Sequence, residues 1–492
     1  MNVERPNIIL VECDSMDGRA MGHMGCLPLS GATPNMDRMA AEGAAFPNTY
    51  CANPICVCSR ASMWSGLYTF HCHGWSNDKG LPSNSTTFLT QLQELGYQTA
   101  VYGKTDYICG QHSMRAQVSA WTRSACIRRP QYKQEYPEIL DSDERCVHRK
   151  DWDTVNRGTE FLRRMQSQPQ QEPFFLYVGV NAPHPHYITS RRYLERIGRS
   201  SIEIPPKDLR QHPVMELMRL QKNWTHGFDE ETVRLVRAVY YAMIAETDEM
   251  LGEILNAAAD LENTYILFLS DHGEMNMEHE QYYKMTAYEP SVRVPLLAMG
   301  PGIVPGRKSE HLTSLVDIYP TLLEMAGGKT GKKRLDGGSL LPVMKGMEDK
   351  RENIAFSEFH DSPACTGIFM LRKDEYKYIA YPGYEPMLFN LREDPWEICN
   401  LAPQMSGKVK EMDVRLRKIV DYPAFDFYVK ENDKDCFRTW RREQVSHGTY
   451  RENMARIFSG GEHLEEGDIR PWTDEEEAEL NRWMEDGSWL DA

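Results

Sequence analysis

Cys56-Val57-Cys58-Ser59-Arg60 sets a thiol four residues ahead of a guanidinium at the start of a stretch that reads as helical. Residues at that spacing share one helix face. A cysteine and an arginine converging at a helix start, where free backbone N–H groups already favour negative charge, can hold one small anion. Two further strings carry candidate chemistry, Cys13-Asp14 and Ser270-Asp271-His272-Gly273. The same cysteines have two plainer readings. Cys51, Cys56, Cys58 and Cys72 could ligate a metal, although Cys-x-Cys fits zinc sites poorly and no second pair follows at zinc spacing. They could also be simple buried thiols.

The elements that would position these groups are legible as short apolar runs. Asn7 to Cys13, Thr99 to Tyr102, Phe174 to Val180, Tyr265 to Ser270 and Pro295 to Met299 have the pattern of strands buried on both faces. Helical stretches separate them, most clearly Asp229 to Leu255, where Val236, Tyr240, Met243, Thr247, Met250 and Ile254 form one stripe. Tyr240 and Tyr241 read there as core. The expected fold class is therefore α/β: a large mixed, mostly parallel sheet sandwiched by helices. In such sheets ligands sit beyond the carboxyl ends of strands, which puts Asp14 and Asp271-His272 at one edge. From about residue 350 the texture changes, and Gly367 to Tyr381 reads as a β-hairpin turning through Arg372 to Glu375. This divides the chain into a catalytic α/β domain over 1–350, a smaller antiparallel-sheet subdomain with a packing helix over 351–420, and a tail over 421–492. In the tail, Thr473 and Glu476 form a capping box and Gly487 a stop, so one short helix is expected and no chemistry is assigned.

Composition narrows the classes. A chain of 492 residues with 41% hydrophobic content can bury a large core, and a net charge of −16 argues against a nucleic-acid partner. The start has no basic and apolar leader pattern, and no run of 18 apolar residues occurs, so neither a membrane partner nor export is expected. Twelve cysteines without a framework pattern fit a reducing compartment, and the expected location is cytoplasmic.

The string around Cys56 resembles the signature of the type I sulfatases of the alkaline phosphatase superfamily, Cys-x-Pro-Ser-Arg followed by a Thr/Ser-Gly step, whose cysteine is oxidised to formylglycine. Other segments resemble the family in the same order: Asn7 to Asp14, Tyr102-Gly103-Lys104, Pro183-His184-Pro185, Ser270-Asp271-His272-Gly273, and Lys284 with Tyr288-Glu289 and Arg293-Val294-Pro295. Leu388-Phe389-Asn390-Leu391 through Asp394-Pro395-x-Glu397 to Asn400-Leu401-Ala402 is similar to the end of the family's C-terminal subdomain. Asp14-Ser15-x-Asp17-Gly18-Arg19, Gly103-Lys104-x-Asp106-Tyr107 and Met277-Glu278-His279 resemble most the arylsulfatase K type, whose members are glucuronate-2-sulfatases.

The resemblance implies a sulfuric ester hydrolase. A hydroxyl of the hydrated formylglycine at position 56 attacks sulfur, the alcohol leaves, and the second hydroxyl loses its proton as the aldehyde re-forms and expels sulfate. It implies Asp14, Asp271, His272 and the modified Cys56 as ligands of a divalent metal, calcium first and magnesium or manganese after it. Arg60, Lys104 and Lys284 would supply positive charge, and His184 with Lys284 would protonate the departing oxygen. His279, Lys104 and Lys284 would contact substrate, and Arg191 and Arg192 are candidates to pair a sugar carboxylate. The implied partners are a formylglycine-generating maturation enzyme and a small sulfated substrate, an aryl sulfate or a sulfated uronic acid of glycosaminoglycans. Oligomeric state is not legible.

Three positions depart from the family pattern. Ser15 stands where a second aspartate is usual, leaving Asp17 as the possible substitute ligand. Asp106 stands where histidine is common two residues after the lysine, making it the candidate base, and Cys58 replaces proline. Two other functions remain open: a phosphonate monoester or phosphodiester hydrolase of the same superfamily, and a non-catalytic anion- or sugar-binding protein with unmodified Cys56.

Overall fold

The computed structural model describes residues 5–108, 113–123, 136–167, 172–208, 212–222, 228–329, 334–459 and 469–486. Gly487, the expected stop of the last helix, lies outside the described residues. Strands Gln98–Gly103, Phe174–Gly179, Asn7–Cys13 and Thr264–Ser270 pair in parallel, in that spatial order. Leu296–Met299 runs against Thr264–Ser270, and Ala44–Ala45 and Arg307–Lys308 complete a mixed, mostly parallel seven-stranded sheet. The apolar runs thus became the strands they predicted, with ends shifted by a residue.

Alternation along the strands sorts the core into two layers. Ile8, Leu10, Tyr177, Leu267 and Leu269 face the layer that includes helices Cys56–Ser65, Phe88–Glu94 and Ile318–Met325. Ile9, Val11, Leu176, Val178 and Phe268 face helices Pro34–Glu42, Arg149–Ser167 and Glu230–Ala257. The last of these, 28 residues long, starts where the Asp229 carboxylate accepts the Thr232 N–H at 2.8 Å and two glutamates occupy the first turn, a favourable match to the helix dipole.

Beyond the large sheet, Ile354–Phe359, Ile368–Lys373, Tyr376–Ala380 and Met387–Asn390 form a four-stranded antiparallel meander. Its two faces are also sorted by alternation. Ile368, Met370 and Ile379 face the catalytic body, whereas Phe369, Leu371 and Tyr378 pack under helix Ser406–Ile419.

The tail differs from the single short helix expected. It holds Tyr422–Ser446, Tyr450–Phe458 and Asp474–Asp486. The capping box is present, with Thr473 N–H donating to Glu476 and Glu476 N–H to Thr473 Oγ1 at 3.2 Å. The first tail helix was hidden because its apolar contacts, Val429, Phe437 and Trp440, are sparse among charged residues; its start, Asp421 capping Ala424 N–H with proline in the first turn, was the available signal. These helices enclose a second core with helix Met114–Trp121, built on Trp121, Trp440, Trp472 and Trp483. Among the described residues no helix is long and apolar enough to cross a membrane, and every cysteine is a free thiol.

Candidate active site

Strand register builds the site. Cys13 pairs with Ser270, so Asp14 and Asp271 leave adjacent parallel strands side by side. Gly103 pairs with Gly179 one strand further on, and Lys104 follows it at the same edge. Only glycine fits at 103, which has a φ of +84° and where a Cβ would stand 1.9 Å from the Gly179 carbonyl oxygen. Gly273 is equally constrained: a Cβ there would lie 1.9 Å from the Pro290 carbonyl oxygen, and its N–H donates to Ser291 O at 2.8 Å.

Helix Cys56–Ser65 lies over this edge with every residue buried and Cys56 as its first residue. Its N-cap, Ile55, offers no side-chain acceptor, so the first N–H groups of the helix get no side-chain cap from it. Ser59 Oγ donates to the Asp271 carbonyl oxygen at 2.5 Å, and Arg60 Nε to Asp271 Oδ2 at 2.9 Å, which fixes the helix to the second strand end. Gly66, at a φ of +72°, closes the helix.

Asp14, Asp271 and His272 are fully enclosed and Cys56 is buried with 8% exposure, and one candidate ligand atom from each lies within 4.8 Å of the others. Cys56 Sγ is 3.2 Å from His272 Nε2 and 3.9 Å from Asp14 Oδ1. His272 Nδ1 is 3.0 Å from the Gly273 carbonyl, an acceptor that fixes the proton on Nδ1 and turns the Nε2 lone pair into the cluster. The Asp271 carboxyl is pushed up by burial and by Asp14 against the pull of Arg60. Burial also opposes the Asp14 charge, but Lys104, His184, His272 and Arg60 outweigh it and hold that carboxyl well below the usual range. Burial works against a charged His272, yet Asp271 and Cys56 hold the imidazole above its ordinary value. The cluster thus draws positive charge to itself. Two carboxylates, an imidazole nitrogen and residue 56 are a donor set that fits a divalent cation.

Two lysines and a histidine lie beside the cluster. Lys104 Nζ lies 2.7 Å from Asp14 Oδ2 and 3.4 Å from Asp106 Oδ2. Burial opposes its charge, but Asp14 and Cys56 hold the ammonium above its ordinary value. Lys284 Nζ is in a short contact with His184 Nε2, while His184 Nδ1 sits 2.5 Å from the Pro185 carbonyl. For Cys56, burial and Asp14 push the thiol up, and Lys104, Lys284 and His272 overturn them, leaving it well below the ordinary range.

Other predicted residues lie differently. Arg60, expected to offer charge to sulfate, is fully buried among carboxylates, within 2.9 Å of Asp271, 3.1 Å of Glu12 and 3.4 Å of Asp14. Ser15 donates to Asp14 Oδ1 at 3.2 Å, and Asp17 pairs with Arg19 at 2.7 Å instead of joining the ligand cluster. His279 is buried with its ring stacked 3.7 Å from Tyr288 and Nδ1 3.2 Å from Asp208. Arg191 and Arg192 are already paired, with Asp141 and Asp143 and with Glu249.

Several supporting residues escaped sequence reasoning. Glu12, pushed up to about 7 by burial against Arg60, accepts from Tyr177 O–H at 2.6 Å, and Arg60 donates to the same Tyr177 oxygen at 2.8 Å. The signal was an acid inside an otherwise apolar strand, which must be paired to be buried. Tyr240, correctly read as core, also braces the loop that follows Asp14: its hydroxyl accepts from Asp17 N–H at 3.0 Å and donates to the Ser15 carbonyl at 2.9 Å.

An alkaline-phosphatase-like sheet with this cluster at its edge defines a class, and the sulfatase family model matches residues 6–328. The chain belongs to the sulfatase family and is a sulfuric ester hydrolase. The C-terminal model of N-sulphoglucosamine sulphohydrolase matches residues 277–421. Arylsulfatase K of Mus musculus is 40% identical over 468 residues, covering 89% of this chain and 84% of the relative, and that of Homo sapiens is 38% identical, covering 89% and 86%. Among solved structures, a phosphonate monoester hydrolase of Agrobacterium radiobacter superposes with a TM-score of 0.69 at 25% identity, covering 84% of this chain and 96% of its own. A 2-O GAG sulfatase superposes at 0.66 with 23% identity, covering 89% and 94%.

Proposed function

We propose that the chain hydrolyses sulfate esters of a sulfated uronic acid from glycosaminoglycans, using Cys56 after its oxidation to formylglycine by a maturation enzyme. The observation that carries the reading is the enclosure of Cys56 with Asp14, Asp271 and His272 inside 4.8 Å, flanked by Lys104 and the Lys284–His184 pair. The substrate class rests on the similarity to the arylsulfatase K relatives.

With residue 56 modified, the hydrated aldehyde supplies a nucleophilic oxygen, and a divalent cation held by Asp14, Asp271, His272 and residue 56 supplies Lewis-acid stabilisation. Calcium is the first candidate, with magnesium and manganese next. The protein's own groups do the rest. Arg60 pairs with Asp271, Asp14 and Glu12 at once, which restrains the two carboxylates proposed as ligands. Lys104, beside Asp14, and the helix start at Cys56 would offer positive charge to the sulfate oxygens. His184, with Nδ1 committed to Pro185, holds a proton between Nε2 and Lys284 Nζ, where it is available to the departing alcohol. Asp106, beside Lys104 at the rim, is the base to receive the proton released afterwards.

A tryptic peptide spanning residue 56 from active enzyme is expected at the aldehyde mass. Finding it wholly at the thiol mass in a preparation that turns over sulfate would sink the proposal. Side-by-side assay of 2-sulfated uronate disaccharides, an aryl sulfate and an aryl phosphodiester tests the ester. Faster turnover of the phosphodiester would favour the phosphonate-hydrolase reading, and tight sulfate binding without turnover a binding protein.

A further inference from the structure

Glu274 follows His272 by two residues, lies outside the ligand cluster and is fully buried. Its Oε1 accepts from three donors: Tyr187 O–H at 2.7 Å, Asn276 N–H at 3.3 Å, and the Tyr283 N–H in a shorter contact. Its Oε2 is buried with no hydrogen-bond partner among the described residues. A half-satisfied buried carboxylate is costly.

Two of the three donors, Tyr187 and Tyr283, flank the His184–Lys284 pair. Tyr187 lies three residues beyond His184, and Tyr283 immediately precedes Lys284. These two segments are far apart in sequence, yet both end on the same carboxylate oxygen, and the Tyr187 ring meets Tyr282 edge-on at 5.7 Å. Met275 N–H donates to the Tyr283 carbonyl at 2.6 Å, so the turn between Glu274 and Lys284 closes on itself. Opposite this anchor, His184 Nε2 meets Lys284 Nζ.

We propose that Glu274 is a positioning residue which, by tying the His184 segment to the Lys284 segment through one oxygen, sets the His184–Lys284 contact and with it delivery of the proton to the leaving alcohol. The inference rests on the sulfatase reading above and adds to it a residue acting through others. Releasing the tie lets the two segments separate, while Asp14, Asp271 and the Cys56 helix are held by their own strand register and by Arg60. A misplacement of about 1 Å at such a pair costs on the order of 100-fold in rate. The loss falls only where the leaving oxygen needs a proton.

The test compares an alkyl sugar sulfate, whose alcohol leaves poorly, with 4-nitrophenyl sulfate, whose phenolate leaves unaided. Tyr187→Phe removes one O–H donor and keeps the ring, and Glu274→Ala removes the anchor. Each is expected to lower kcat on the sugar sulfate, by about tenfold for Tyr187→Phe and about 100-fold for Glu274→Ala, with KM and metal content unchanged and less than about threefold loss on 4-nitrophenyl sulfate. Equal losses on both esters, or no loss on either, overturn the inference. If Glu274→Ala does not fold, Tyr187→Phe decides alone. Wild-type protein, with residue 56 oxidised, that cleaves neither sulfate overturns the underlying reading instead.

Discussion

At the scale of single residues the site is a balance of buried charges, each held by a named partner. Arg60 faces three carboxylates with no exposure to water. Replacing it with leucine leaves those carboxylates uncompensated, and a loss of about 3–5 kcal/mol in folding free energy is expected by denaturant titration. Asp14→Asn removes one proposed ligand and the partner of Lys104; metal content measured on the purified protein should fall, and kcat should drop by about 100-fold or more. Retention of full metal occupancy by this variant would exclude Asp14 as a ligand. The sequence made most of this visible, because Asp14, Asp271 and His272 each follow an apolar run and Cys56 and Arg60 sit one helical turn apart. It did not show what Arg60 spends its charge on. Glu12 and Tyr177 lie inside strands read as apolar, and their pairing depends on a register between segments far apart in the chain.

At the scale of elements, the hinge of the design is the contact between the four-stranded meander and the large domain. Lys377, on the strand Tyr376–Ala380, has no exposure and lies 3.0 Å from Glu289 and 2.9 Å from Glu397, while Glu397 accepts the Glu289 N–H at 2.6 Å. Burial opposes the Glu289 charge, and Lys377, Arg372 and Arg293 hold its carboxyl far below the usual range. Lys377→Met keeps the length and removes the charge, and a loss of about 3–5 kcal/mol is expected, with the meander first to lose protection in hydrogen exchange. A variant as stable as wild type would show that the contact is held by apolar packing alone. Glu289 and Glu397 stand in segments that resemble the family motifs, whereas Lys377 lies within the hairpin from Gly367 to Tyr381 with no signal of its burial. A period-two pattern tells which residues alternate, not which face is covered.

At the scale of the whole molecule, the tail helices share a core with helix Met114–Trp121. Arg123 Nε donates to Asp433 Oδ2 at 3.0 Å beneath the tryptophan cluster. Burial pushes the Asp433 carboxyl from 3.8 up to about 7, with Arg123 pulling the other way. A carboxyl raised in the folded state binds its proton more tightly there than in the unfolded chain. Its contribution to stability is therefore complete below about pH 4 and is lost as the pH climbs through about 7. Asp433→Asn should flatten that part of the stability profile in pH-dependent melts, and an unchanged slope between pH 4 and 7 would assign the titration elsewhere.

The same tryptophan cluster bears on how the chain is made. Met114–Trp121 belongs to the early part of the polypeptide, but its covering helices end at Asp486. Synthesis runs at about 5–20 residues per second and domains fold as they emerge. For many seconds on the ribosome, then, Trp121 has Asp78 beside it but not Trp440, Trp472 and Trp483, and it stays a sticky patch until those later helices have been made.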